Sequence, residues 1–186
     1  MVRLSRQVPG ALKASFSALS LLSTSGKFLS LLAFSLVASN PAHGLSLQEL
    51  RDDPDLTPEG LMAYFRDFSF KLGEELQDPE VFLATRSGDC DDFASLAAAL
   101  LTERQYTTQL VAVFMEGQTH VVCYVQEVQG YLDYNRRGQS APLQVTDGKL
   151  EDIADKVAAY FRTTWRCVAE YNSKGGTRRF GHIAFR

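Results

Sequence analysis

The chain is poor in the residues that build metal sites and disulfide networks. Its 186 residues include three cysteines, three histidines and one tryptophan. The sequence has neither a Cys-x-x-Cys pair nor two closely spaced histidines, which excludes the common zinc-binding patterns. The uncharged, largely apolar stretch at residues 28–39 is too short to span a bilayer. A catalytic site built on a thiol and an imidazole therefore has three cysteines and three histidines from which to draw.

Acidic residues are absent from the first 44 positions. The charges there are all basic and lie at Arg3, Arg6, Lys13 and Lys27. The apolar stretch that follows them has the length of a signal-peptide core, and Ala42-His43-Gly44 offers the small residues typical of a cleavage site. This pattern predicts a signal peptide over residues 1–44 and a periplasmic or secreted protein. The alternative is an uncleaved amphipathic or membrane-anchoring segment.

Removal of that segment leaves residues 45–186, enough chain for one domain with its own core. The formal net charge changes from −3 to −7, because four basic residues and no acids are removed. An acidic domain argues against nucleic acid or anionic lipid as a partner. We therefore expect a monomer that contacts no membrane after cleavage.

The chain is organised around Gly88-Asp89-Cys90-Asp91-Asp92-Phe93-Ala94, which continues into an alanine- and leucine-rich segment. Apolar residues recur there at helical spacing, which predicts a helix with one buried face. Asp89 is placed as the N-cap and Asp92 at the third helical position, an arrangement close to a capping box. Cys90 then begins the helix, where the positive end of the helix dipole stabilises a thiolate. Taken alone, Cys90 has the alternative interpretation of a small buried apolar residue.

Two further candidates follow on predicted strands. Period-two alternation over residues 119–128 places His120 on one face of its strand and Cys123 on the other. If the loop around Gln129-Gly130 holds an even number of residues, Asp133 and Asn135 share the face of His120. His120 would then act as the general base and one of these two residues would orient it. Each has a bland alternative as well, as a core histidine or an ordinary polar residue near a turn.

Cysteine at a helix start, histidine on a strand and aspartate on the next strand resemble the transglutaminase-like cysteine hydrolases. The closest resemblance, over residues 79–135, is to the bacterial transglutaminase-like cysteine proteinases. It implies an α+β, papain-like fold, with N-terminal helices packed on a C-terminal antiparallel β-sheet. It also implies a catalytic triad of Cys90, His120 and Asp133, with Asn135 as the alternative third member.

The resemblance implies an exported peptidase or amidase that acts on protein or peptide through a thioester, without a required cofactor. Amide crosslinking, in which an amine replaces water, is the variant. The alternative from a different class is a non-catalytic module of the same fold that binds a peptide or a cell-wall fragment. His182 is a rival general base, outside the position that the family uses.

Negative charge is crowded around the nucleophile, since Asp89, Asp91 and Asp92 surround Cys90, and like charge opposes ionisation of a thiol. Either these carboxylates cap the helix and point away, or a cation neutralises them. Carboxylates beside the cysteine bind calcium in the periplasmic branch of the family. The resemblance therefore gives Asp89 and Asp91 as possible calcium ligands.

Two expectations concern the surrounding domain. The cysteine count favours a disulfide between Cys123 and Cys167 that leaves Cys90 free, with three reduced cysteines as the alternative. Thr57-Pro58 predicts the start of a helix that continues to Gly73. Its apolar face reads as packing surface and is made of Leu61, Tyr64, Phe65, Phe68 and Leu72.

Overall fold

Five α-helices and eight β-strands make up the part of the chain that the computed structural model describes, residues 44–174 and 177–186. The structure describes no side chains for residues 173–178. Nearly all of the predicted signal peptide lies outside the described residues. No helix within the described ranges is both long enough and apolar enough to cross a membrane.

The helices precede and interrupt the strands. The helices are α1 (Leu47–Asp52), α2 (Pro58–Tyr64), α3 (Pro79–Thr85), α4 (Cys90–Glu103) and α5 (Leu150–Tyr160). The strands are β1 (Ser69–Phe70), β2 (Ser87–Gly88), β3 (Thr108–Met115), β4 (Gln118–Val125), β5 (Gly130–Leu132), β6 (Leu143–Val145), β7 (Trp165–Lys174) and β8 (Thr177–Phe185).

Six of these strands form one antiparallel sheet in the order β6-β5-β4-β3-β7-β8. Alternate residues of its strands enter two apolar clusters, as the two faces of a pleated sheet require. One cluster joins Val121 and Cys123 to α4 and the N-terminal helices. The other joins Val122 to the buried face of α5. The α+β expectation, with an antiparallel sheet from the C-terminal half, is confirmed.

The predicted helix from Pro58 to Gly73 is wrong in its second half, because α2 ends at Tyr64. Beyond that point the backbone of residues 69–71 pairs with residues 86–88, which lead to Cys90. Ser69 N–H donates to the carbonyl of Arg86 at 2.9 Å, and Lys71 N–H donates to that of Gly88 at 2.8 Å. The early turn also brings the ring of Phe68 to 4.7 Å from that of Phe65, in the core. Pairing and aromatic packing together outweigh the helical periodicity.

The expected disulfide is also wrong, since Cys90, Cys123 and Cys167 are all free thiols. Cys123 pairs across β3 with a row that ends at Tyr171 on β7, four residues from Cys167. Two strand spacings across and four residues along give a separation of roughly 16 Å. A disulfide requires its Cα atoms within about 7 Å. The number of cysteines in a sequence does not show that strand β3 separates Cys123 from Cys167.

Gly88, the second residue of β2, lies directly before the nucleophile helix and has no room for a side chain. A Cβ there would lie 2.5 Å from Asp92 Oδ2 and 2.6 Å from Cδ2 of the Phe82 ring. Phe82 is fully buried in the core and Asp92 belongs to the cap of α4. The glycine therefore lets the backbone pass between the core and the start of this helix.

We predict that Gly88→Ala lowers the free energy of unfolding by about 1–3 kcal/mol, the usual cost of overpacking a core. Urea unfolding of the variant measures this loss. The matched control is Gly138→Ala, because a Cβ at Gly138 meets nothing within 4 Å. Equal unfolding midpoints for the two variants would contradict the prediction.

Candidate active site

Cys90 occupies the first position of α4, half-buried, with a complete capping box around it. Asp89 Oδ1 accepts hydrogen bonds from the backbone N–H groups of Asp91 and Asp92, at 3.3 and 3.5 Å. In return, Asp92 Oδ2 accepts from the Asp89 N–H at 3.0 Å. The cap predicted from the sequence is the one that the chain forms.

The loop before α3 supplies further donors to the same two carboxylates. Gly73 N–H donates to Asp89 Oδ2 at 2.9 Å. Gln77 donates twice to Asp92, from its backbone N–H to Oδ1 and from its side-chain Nε2 to Oδ2, both at 2.7 Å. Each oxygen of Asp89 and Asp92 thus accepts at least one N–H bond from the protein. These neutral donors stabilise the buried carboxylates without a cation.

His120 and Asp133 form a buried pair. Their Nε2 and Oδ1 atoms lie 2.8 Å apart, and the two residues are 3% and 0% exposed. Burial by itself lowers the pKa of His120. The charge of Asp133 and its hydrogen bond, together with a hydrogen bond between His120 and Cys90, raise that pKa to about 10. Nε2 of His120 is thus bonded to Asp133, and Nδ1 is the ring nitrogen that remains for Cys90.

Cys90 and His120 approach each other at an open strand edge. Cys90 packs with the cluster on the α4 face of the sheet. His120 alternates with Val121 along β4 and therefore points to the other face. There the centroid of its ring lies 4.9 Å from that of Phe161. The β4–β5 ladder covers only Cys123 to Val125 of β4. His120 therefore lies where β5 has already ended. This uncovered edge lets the ring reach a thiol that packs against the opposite face.

The hairpin register places Asp133 as the sequence predicted. Tyr124 pairs with Tyr131, so odd-numbered positions after the turn share a face with even-numbered positions before it. The carboxylate bonded to His120 is that of Asp133. Asn135 instead enters the site through its backbone, since its N–H donates to Asp133 Oδ1 at 2.9 Å. Asn135 therefore helps to orient Asp133.

Arg136 is a site residue that the sequence did not indicate. Its Nε lies 3.7 Å from Asp133 Oδ2, and its side chain is 16% exposed. The guanidinium also donates from Nη1 to Gln144 and stacks on the Tyr160 ring. The signal available in the sequence was the spacing of three residues between Asp133 and Arg136. This cation offsets the charge of a fully buried carboxylate.

A cleft of about 370 Å³ borders the thiol. Its lining includes Cys90 with Asp89 and Asp91 at the start of α4, and apolar or aromatic residues from five further segments. Those apolar residues are Leu72, Ala112, Phe114, Val121, Tyr171 and Phe180. Cys90 is thus accessible from a largely apolar groove, while His120 and Asp133 are buried.

His182, the rival base, is exposed on the edge strand β8. Its backbone N–H donates to Oε2 of Glu170 at 3.5 Å. The histidine that bonds to both Cys90 and a carboxylate is His120.

The three acids around Cys90 each offer one ligand atom within 4.8 Å of the others. Calcium takes six to eight oxygen ligands with free lone pairs. Asp89 Oδ1 and Asp92 Oδ2 each accept two N–H bonds, which occupy their lone pairs, and the other oxygen of each carboxylate accepts one. The donor set fits helix capping better than calcium.

Comparison with known proteins agrees with this geometry at the level of the superfamily. Residues 48–134 match the model of a family described as a transglutaminase-like domain. The match begins in α1 and ends directly after Asp133, so it spans all three linked side chains. No curated protein matches the chain.

We predict that calcium and a chelator leave the thermal midpoint of the protein unchanged. A ligand that binds the folded state at concentrations well above its Kd raises the midpoint by several degrees through mass action. Thermal unfolding in millimolar calcium, in excess chelator and in magnesium at equal ionic strength makes the comparison. A rise specific to calcium that disappears in Asp91→Asn would establish a calcium site at these carboxylates.

Proposed function

We propose that the chain is an exported cysteine hydrolase, a peptidase or amidase of the bacterial transglutaminase-like cysteine proteinase type. Cys90 is the nucleophile, His120 the general base and acid, and Asp133 the residue that orients the imidazole. The observation that carries the proposal is the buried hydrogen bond between His120 and Asp133, at 2.8 Å, with Cys90 at the start of α4 close enough to raise the pKa of His120. The transglutaminase-like family match supports the reaction class.

Acyl transfer would begin from a thiolate beside an imidazolium. The Cys90 sulfur attacks the carboxamide carbon, a C–S bond forms, and the carbonyl π electrons move to oxygen. Asp89 already accepts from the N–H groups of Asp91 and Asp92, and its carbonyl accepts from Phe93. The Cys90 N–H is the donor of the first turn that these contacts leave for the oxyanion.

Collapse of this intermediate breaks the C–N bond, and the leaving amine takes the proton from His120. His120 then removes a proton from water as the water oxygen attacks the thioester carbon. The C–S bond breaks, which releases the carboxylic acid and restores the Cys90 thiolate beside protonated His120. An amine in place of water gives an amide crosslink by the same steps. Hydrolysis is the outcome that we propose, because water needs no binding site of its own.

Alkylation of Cys90 by iodoacetamide tests the proposed nucleophile. Since the pKa of His120 is raised to about 10, the imidazolium persists through neutral pH and supports a thiolate there. We expect the wild-type rate at neutral pH to exceed that of an ordinary free thiol, because an imidazolium next to a thiol favours the thiolate. His120→Ala should lower the rate at neutral pH by about tenfold or more, because an adjacent opposite charge shifts ionisation by at least that factor.

Peptide mass spectrometry assigns the label to Cys90 rather than to the other two thiols. Burial raises the pKa of Cys123 to about 12, so its thiol stays protonated and slow to react. His182→Ala is the matched control and should behave as wild type. If wild type and His120→Ala both react as an ordinary thiol does, the catalytic proposal fails and a binding module of the same fold takes its place.

Export is the remaining part of the proposal and rests on residues 1–44 of the sequence. The full chain, expressed in a bacterium with two membranes, is expected in the periplasmic fraction with its amino terminus near Leu45. Intact mass and amino-terminal sequencing measure the cleavage. A version without residues 2–44 should stay in the cytoplasm. Recovery of the uncleaved chain from membranes would identify an anchor instead.

A further inference from the structure

Two exposed apolar side chains border the cleft that contains Cys90. Leu72, in the loop after β1, is 77% exposed, and Phe180, on β8, is 45% exposed. The Phe180 ring stands against Phe114 at 5.4 Å and Tyr171 at 5.9 Å between ring centroids, so it is held in place at the cleft wall. Exposed apolar groups beside a nucleophile gain free energy when a ligand covers them.

A second depression along α4 adjoins the cleft. This depression has a volume of about 520 Å³ and shares Tyr171 and Phe180 with the first. Ser95 and Ala98 of α4 line it, together with residues of β3, β7 and β8. From Cys90 to Ala98 the helix rises about 12 Å. An extended chain covers that distance with about four residues.

Charge limits what the groove accepts. Among the described residues that line the first cleft, the acidic ones are Asp89 and Asp91, and none is a lysine or an arginine. Glu170 and Arg179 in the second depression carry opposite charges. An acidic residue next to the reacting carbonyl would therefore meet like charge near Cys90, whereas an apolar one would meet Leu72 and Phe180.

We propose that this groove binds an extended peptide of about four residues whose side chains next to the reacting carbonyl are large and apolar. The proposal rests on the acyl-transfer function of Cys90 and adds the substrate class. The apolar residues pack against Phe180 and Leu72, and the rest of the peptide follows α4 towards Ala98. Acidic peptides are excluded by Asp89 and Asp91.

Peptide chloromethyl ketones, which the Cys90 sulfur alkylates with loss of chloride, measure this selectivity. The probes are acetyl-Ala-Ala-Phe-Phe, acetyl-Ala-Ala-Glu-Glu and the truncated acetyl-Phe-Phe derivatives. Each second-order rate is divided by the rate with iodoacetamide, which removes any change in the thiol itself. We expect the Phe-Phe tetrapeptide to exceed the Glu-Glu tetrapeptide by at least about tenfold, since burial of one phenylalanine side chain suffices for that factor.

Truncation to acetyl-Phe-Phe should lower the normalised rate, because the peptide then loses the second depression. Phe180→Ala should reduce the preference for Phe-Phe several-fold, and Phe180→Leu should restore most of it. Phe185→Ala is the matched control. Phe185 is a more exposed aromatic residue on the same strand that does not line either depression.

Equal rates for the Phe-Phe and Glu-Glu tetrapeptides would overturn the proposal, as would equal effects of Phe180→Ala and Phe185→Ala. A truncated probe as fast as the tetrapeptide would remove the second depression from the site. Failure of the catalytic proposal has a separate signature, an ordinary iodoacetamide rate that does not depend on His120. In that case Cys90→Ser and fluorescence anisotropy of a labelled, unreactive Ala-Ala-Phe-Phe amide test the groove without chemistry.

Discussion

The capping box of α4 is the interaction on which the rest of the site depends. The carboxylates of Asp89 and Asp92 cap the first turn of the helix, which fixes the position of Cys90 between them. The same two side chains anchor the loop before α3 through Gly73 and Gln77. A run of three acids next to a thiol would otherwise oppose its ionisation. The N–H groups of the protein hold the charges of Asp89 and Asp92, and the helix dipole remains available to the sulfur.

Burial of His120 and Asp133 is the second constraint. A carboxylate with no exposed surface costs free energy unless charge and hydrogen bonds compensate for its lost hydration. Asp133 has the imidazole of His120, the N–H of Asn135 and the nearby guanidinium of Arg136. The pair is thus shielded from water on the side away from the cleft. Only the sulfur faces the groove.

Much of this site was predictable because its signals are local. The cap of α4 follows from the spacing of Asp89 and Asp92, and the shared face of His120 and Asp133 follows from an even hairpin loop. The missed features are those that depend on distant parts of the chain. The turn after Tyr64 reflects pairing with residues before Cys90, and the separation of Cys123 from Cys167 reflects an intervening strand. Arg136 was missed because its partners Gln144 and Tyr160 lie 8 and 24 residues further along the sequence.

The groove wall and the nucleophile differ in how freely evolution can alter them. Phe180 projects from β8, the outermost strand, whose far edge has no strand partner within the described residues. A substitution there disturbs little else, because the side chain is nearly half in solvent. The start of α4 is enclosed by Gly88, Phe82 and the cap, where a single added carbon collides. Relatives of this chain can therefore differ at the groove wall while Cys90 keeps its place.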